Sequence, residues 1–118
     1  MNLLEVVSND KNEIIPINVA RVIGLSLDEL ADLLGVSETS LKDEKIGCNI
    51  SIQTKLHNAV EVIMLVSTWA GGPYQACSWY RNIPLPALGN VTAETAVKMG
   101  LGSYVLVFVE SISLGGYA

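Results

Sequence analysis

The chain has 118 residues, half of them apolar and only 16% charged, with a net charge of -5 and an isoelectric point near 4.6. That length bounds it to one domain or two very small ones, and the apolar content excludes intrinsic disorder, because enough surface is available to offset the entropy of ordering. The negative balance argues against a protein whose main task is neutralising nucleic-acid phosphates, and the apolar excess predicts a partner or self-association as a homodimer or higher assembly.

Residues 1 to 13 show no clear period and read as an arm. Glu5, Asp10 and Lys11 give no positively charged leader before an apolar run, so no signal peptide is expected. The longest uncharged run, Val62 to Tyr80, is interrupted by Gly71-Gly72-Pro73, which rules it out as one membrane-spanning helix. Ser103 to Ser113 is apolar but about half of the roughly 20 residues a span requires. The expectation is a soluble, cytoplasmic protein with no membrane partner.

From Pro16 a helix is predicted, because proline suits a first turn and Val19, Ala20, Val22 and Ile23 share a face before Gly24. Ser26 caps a second helix with Asp28 and Glu29 in its first turn and Leu27, Leu30, Ala31 and Leu34 as its stripe. Gly35 stops it and Ser37 opens a third leading to Leu41. After a turn at Gly47-Cys48-Asn49, Ile52, Leu56, Ala59, Val60, Ile63 and Met64 predict a long helix from about Ser51 to Thr68. Ala70-Gly71-Gly72-Pro73 breaks it, and Tyr74 to Asn82 reads as a short helix ended by Ile83-Pro84-Leu85-Pro86. Thr92 caps the next, with Thr95, Ala96 and Met99 expected to face inward and Gly100 to close it.

The last segment sets local rules against each other. Its β-branched and aromatic residues favour a strand, whereas Val105, Phe108, Val109 and Ile112 fall at helical spacing. With no second convincing strand to pair with it, the segment reads as a helix. The fold class is therefore all-α, six or seven helices without a repeat. Residues 1–47 form the N-terminal arm and a degenerate helix-turn-helix, and residues 48–118 the long helix and a C-terminal binding part.

Leu30-Ala31, Gly35-Val36 and Leu41 fit helix-turn-helix spacing, though two ordinary helices around a glycine turn would fit as well. The candidate DNA contacts are Ser37, Thr39, Ser40, Lys42 and Lys45. Glu38, Asp43 and Glu44 stand among them and repel phosphates, so weak DNA binding at most is expected.

From Trp69 onward the chain resembles the toxin-binding domain of Xre/MbcA/ParS-like antitoxins. The resemblance rests on Trp79-Tyr80-Arg81, the Ile83-Pro84-Leu85-Pro86-Ala87-Leu88-Gly89 loop, Thr92-Ala93-Glu94 opening a helix, and the terminal Gly115-Gly116-Tyr117-Ala118. The upstream helix-turn-helix pattern extends it loosely over most of the chain. The resemblance implies an antitoxin that neutralises a RES-domain toxin, an enzyme that consumes NAD or transfers its ADP-ribose. The implied toxin contacts are Trp79, Tyr80, Arg81, Pro84, Pro86, Leu88, Gly115, Gly116, Tyr117 and Ala118.

The residue types suit that role: aromatics and arginine carry much interface energy, a Pro-X-Pro loop is stiff before docking, and Gly115-Gly116 lets Tyr117 leave the last helix. Bland readings stand beside each. Trp79 is as well placed for a core as for an interface, the prolines for a helix stop, and the glycines for a frayed end. Cys48 and Cys77 lack ligand spacing and are expected as reduced thiols, with no metal and no cofactor. His57 falls on the polar side of the long helix, and no nucleophile, base and orienting group assemble from spacing, so no enzyme is expected. The alternative to an antitoxin is a helix-turn-helix transcriptional regulator, autoregulating its own operon, whose C-terminal half dimerises it.

Overall fold

The computed structural model describes residues 7–43, 45 and 49–113. Seven α-helices make up most of them: α1 (Pro16–Ile23), α2 (Leu27–Leu34), α3 (Glu38–Lys42), α4 (Ile50–Ala70), α5 (Pro73–Asn82), α6 (Ala93–Lys98) and α7 (Gly102–Ser113). The fold is all-α, with one short antiparallel ribbon between α5 and α6.

Local chemistry sets the helix ends. At α2 the Ser26 hydroxyl accepts from the Glu29 N–H while the Ser26 N–H donates to the Glu29 carboxylate, both at 3.1 Å, a reciprocal cap. Ser37, Asn49 and Thr92 cap α3, α4 and α6 in the simpler way. Gly35 closes α2 at φ +73°, a left-handed geometry in which a Cβ would also press on the Lys98 side chain at 3.1 Å.

Helix α4 is the spine. Its 21 residues bury Ile52, Leu56, Ala59, Val60, Val62, Ile63 and Val66, and α5 and α7 make its most extensive contacts. Val105 and Val109 of α7 are fully buried. A Cβ on Gly102 would stand 2.7 Å from the Asn58 side-chain amide nitrogen, so any larger residue there requires the Asn58 side chain to shift. One hydrophobic core runs from Val7 to Val109 and draws on both halves of the chain. The start of the described chain is held to the spine by Gln53, whose amide accepts from the Ile14 N–H at 2.9 Å and donates to its carbonyl at 3.0 Å.

Two details differ from the sequence reading. Pro84–Leu85 and Val91–Thr92 form an antiparallel ribbon, with Pro84 opposite Thr92 and Leu85 opposite Val91, around a 3₁₀ turn at Pro86–Leu88. Thr95 and Met99 were expected to face inward, yet both are exposed and Val97 is buried with Ala96. The physical reason is that Thr95 joins the Thr92 cap through both its N–H and its hydroxyl, and α6 ends at Lys98, so Met99 turns out with the Gly100 bend.

Candidate binding groove

Trp79, Tyr80 and Arg81 are consecutive on α5 and so project about 100° apart. Each meets a different environment. Trp79 is half-buried and sets its ring edge-on to Trp69 of α4, centroids 5.7 Å apart and planes at 89°. Tyr80 is fully enclosed, with its hydroxyl unpartnered among the described residues, and burial, then Glu94 and Cys77, push its ionisation far above the ordinary tyrosine value. Arg81 reaches the other way, donating to Glu94 of α6 and Asp32 of α2, both at 3.3 Å.

The three residues therefore do not form one contact surface. As a toxin contact Tyr80 is corrected to a core residue, since it presents no area to a partner. Arg81 ties three helices together, and only Trp79 faces a cavity.

That cavity is an open groove of about 960 Å³ between the ends of α4, α5 and α7 and the ribbon. Trp69 and Trp79 form one wall, Ile83 to Ala87 the floor and rim, and Phe108 and Ile112 of α7 the far side. The lining is predominantly apolar, with Thr68 the one hydroxyl side chain among its residues. Pro84 and Pro86 both line it, as two of the expected contacts, while Leu88 is half-buried against the core and stays outside. Gly115, Gly116, Tyr117 and Ala118 lie outside the described residues.

The sequence reading does not assign Trp69, Phe108 and Ile112 to a site. The signal for Trp69 was its place directly before Ala70-Gly71-Gly72-Pro73, a turn that returns Trp79 to it ten residues later. No comparable signal marks Phe108 and Ile112, which are ordinary apolar positions at helical spacing.

The α3 surface is different. Ser37 and Ser40 spend their hydroxyls on each other at 2.7 Å and on the cap, and Lys42 is paired with Glu38. The Asp28 carboxyl is raised chiefly by its hydrogen bond to Glu38, and the Glu38 carboxyl is lowered chiefly by Lys42. Thr39 and Lys45 are exposed, and Glu44 and Cys48 lie outside the described residues.

Elsewhere His57 sits half-exposed on α4, 3.1 Å from Glu61. Cys77 is a buried free thiol, pushed up mainly by burial. Among the described residues no cluster of three His, Cys, Asp or Glu side chains is placed to hold a metal ion, and no helix is long and apolar enough to cross a membrane. Comparison with protein-family models, curated proteins and solved structures finds no match to this chain.

Proposed function

We propose that this chain is an antitoxin-like binding protein that neutralises a RES-type toxin, NAD-consuming or ADP-ribosylating, through its C-terminal half. The observation that carries this reading is the groove: two tryptophans, a phenylalanine and two prolines kept open to solvent on a chain rich enough in apolar residues to have filled it. Large aromatic side chains in a preformed apolar recess are the usual anchors of a protein interface. The resemblance of residues 69–118 to antitoxin toxin-binding domains supports the choice of partner. The DNA-binding alternative gains less, because the basic groups of α3 stand beside Asp28, Glu38 and Asp43 and part of their charge is already answered.

The test is co-expression with a RES-domain protein encoded beside this chain's reading frame. Growth restored to cells poisoned by that protein, together with co-purification of the pair, is the expected result. A toxin that remains active and elutes alone refutes the proposal.

A further inference from the structure

One stripe of α4 is polar, and the fold walls it in. Ser51, Thr54, Lys55 and Asn58 recur at three- and four-residue steps along the first half of the helix, so they share a face. A polar stripe on a helix ordinarily meets bulk water. Here the turn from α6 to α7 stands beside it. Lys98 ends α6, Ser103 lies in the first turn of α7, and Gly102 is buried against the Asn58 side chain. Together these elements form a pocket of about 360 Å³.

The pocket is chemically the reverse of the groove. Lys55 and Lys98 are its charged side chains, and no carboxylate among the described residues lines it. Lys55 is partly buried and makes no ion pair among the described residues, which leaves its charge for a ligand. Lys98 stands 3.6 Å from Glu94, but that carboxylate is also held by Arg81 at 3.3 Å, so the Lys98 charge is only partly answered. Glu61, the next acid along α4, is engaged by His57 at 3.1 Å and lies outside the pocket. The neutral groups are unspent as well. Ser67 and Thr68 of the same helix donate their hydroxyls to backbone carbonyls at 2.6 and 2.8 Å, whereas Ser51, Thr54, Asn58 and Ser103 make no side-chain hydrogen bond among the described residues.

Two cations and several neutral donors around one recess suit an anion with two charges and several acceptor oxygens. A phosphate monoester has both: near neutral pH it carries close to two negative charges, and it presents three strong acceptor oxygens. A carboxylate would leave one lysine unanswered. The volume lies near the lower end of small-molecule pockets. Nine of the twelve acidic residues precede residue 46, so a polyanion would meet repulsion from the rest of the chain that a small dianion largely escapes.

We propose that this pocket binds a small phosphate monoester, with Lys55 and Lys98 answering its charge and Ser51, Thr54, Asn58 and Ser103 donating to its oxygens. The site lies toward the opposite end of α4 from the groove, and it is independent of the toxin reading.

The experiment is a titration of the isotope-labelled full chain at low salt, followed by amide chemical shifts, with methyl phosphate as the probe and methyl sulfate as a monoanion of the same shape. Methyl phosphate is expected to saturate with a dissociation constant of about 1 mM or below and to shift amides of residues 51–58 and 98–103. Methyl sulfate is expected to bind at least about tenfold more weakly. Lys55→Gln is expected to raise the methyl phosphate constant about tenfold, while Lys11→Gln, at an exposed lysine outside the pocket, leaves it unchanged. Absence of saturation, shifts spread over every exposed lysine, or a Lys55→Gln chain that binds as tightly as the wild type overturns the proposal. Inorganic phosphate binding far more tightly than methyl phosphate overturns the ester as ligand. A short DNA duplex that displaces methyl phosphate from the pocket and binds more tightly also overturns it, since the lysines would then serve a nucleic-acid backbone.

Discussion

Tyr80→Phe tests the core beneath the groove. The ring of Tyr80 is completely enclosed and its hydroxyl finds no hydrogen-bond partner among the described residues. Leaving a buried hydroxyl unsatisfied costs about 1–3 kcal/mol, whereas removing it together with its need for a partner restores most of that. The substitution keeps the aromatic ring and its contacts and deletes only the orphan. Stability is therefore expected to hold or to rise by about 1 kcal/mol, although core substitutions generally destabilise. Urea denaturation of both proteins measures it. A loss above about 1 kcal/mol would falsify the reasoning, because it means that the hydroxyl is satisfied in solution by a buried water or a neighbouring group.

The same residue carries a pH signature with a definite sign. Burial raises the Tyr80 ionisation above the value near 10 of an unfolded chain. Just above pH 10 the unfolded chain has released this proton while the folded chain retains it. Stability then falls as pH rises, by up to about 1.4 kcal/mol per pH unit for this one group, and its contribution is complete below that window. Tyr80→Phe lacks the group, so the stability difference between the two proteins should widen in favour of the variant from about pH 9.5 upward. Equal losses in both across that range contradict an enclosed Tyr80.

Trp79→Ala removes the groove wall that meets Trp69 edge-on, and is expected to weaken partner binding about 30-fold or more by calorimetry, the loss of a central aromatic anchor. Tyr80→Phe should leave that affinity unchanged in the same assay. Gly35→Ala places a Cβ at φ +73° and against Lys98, and should lower stability by about 1–2 kcal/mol in urea. Cys77 is 4% exposed and its thiol is raised by burial, so its peptide should be alkylated at neutral pH far more slowly in the native chain than in urea, by mass spectrometry.

Helix ends were legible because their causes are local. A serine three residues before an N–H it can cap, or a glycine where the chain must turn left-handed, acts within one turn, as at Ser26 and Gly35. The ribbon was not legible, since strands of two residues are too short for alternation to register and depend on Gly89 and Asn90 at positive φ to bring Asn90 back to the Leu85 carbonyl. For Trp79, Tyr80 and Arg81 the periodicity separates the three directions but does not say which meets the core. That choice belongs to α4 on one side and to Glu94 and Asp32 on the other, residues distant in sequence. The groove is harder still. Its walls come from positions 68–69, 79, 83–87, 108 and 112, and no local period encodes their meeting.

Why the groove stays open follows from the same residues. An apolar recess normally closes by repacking, because each buried Å² of apolar surface stabilises by about 25 cal/mol. Here each wall is held by something that collapse would have to break. Trp79 meets Trp69 edge-on from a helix that is anchored by the enclosed Tyr80 and the ion pairs of Arg81, and Phe108 and Ile112 are carried by a helix that packs on α4 and buries Val105 and Val109. Pro84 and Pro86 have restricted φ, and Leu85 between them is buried and paired to Val91. The prolines also remove two N–H groups from the rim, which leaves water fewer donors to bind. The φ of both rim prolines is already fixed, so an apolar side chain docking there would cost little ordering of that part of the wall.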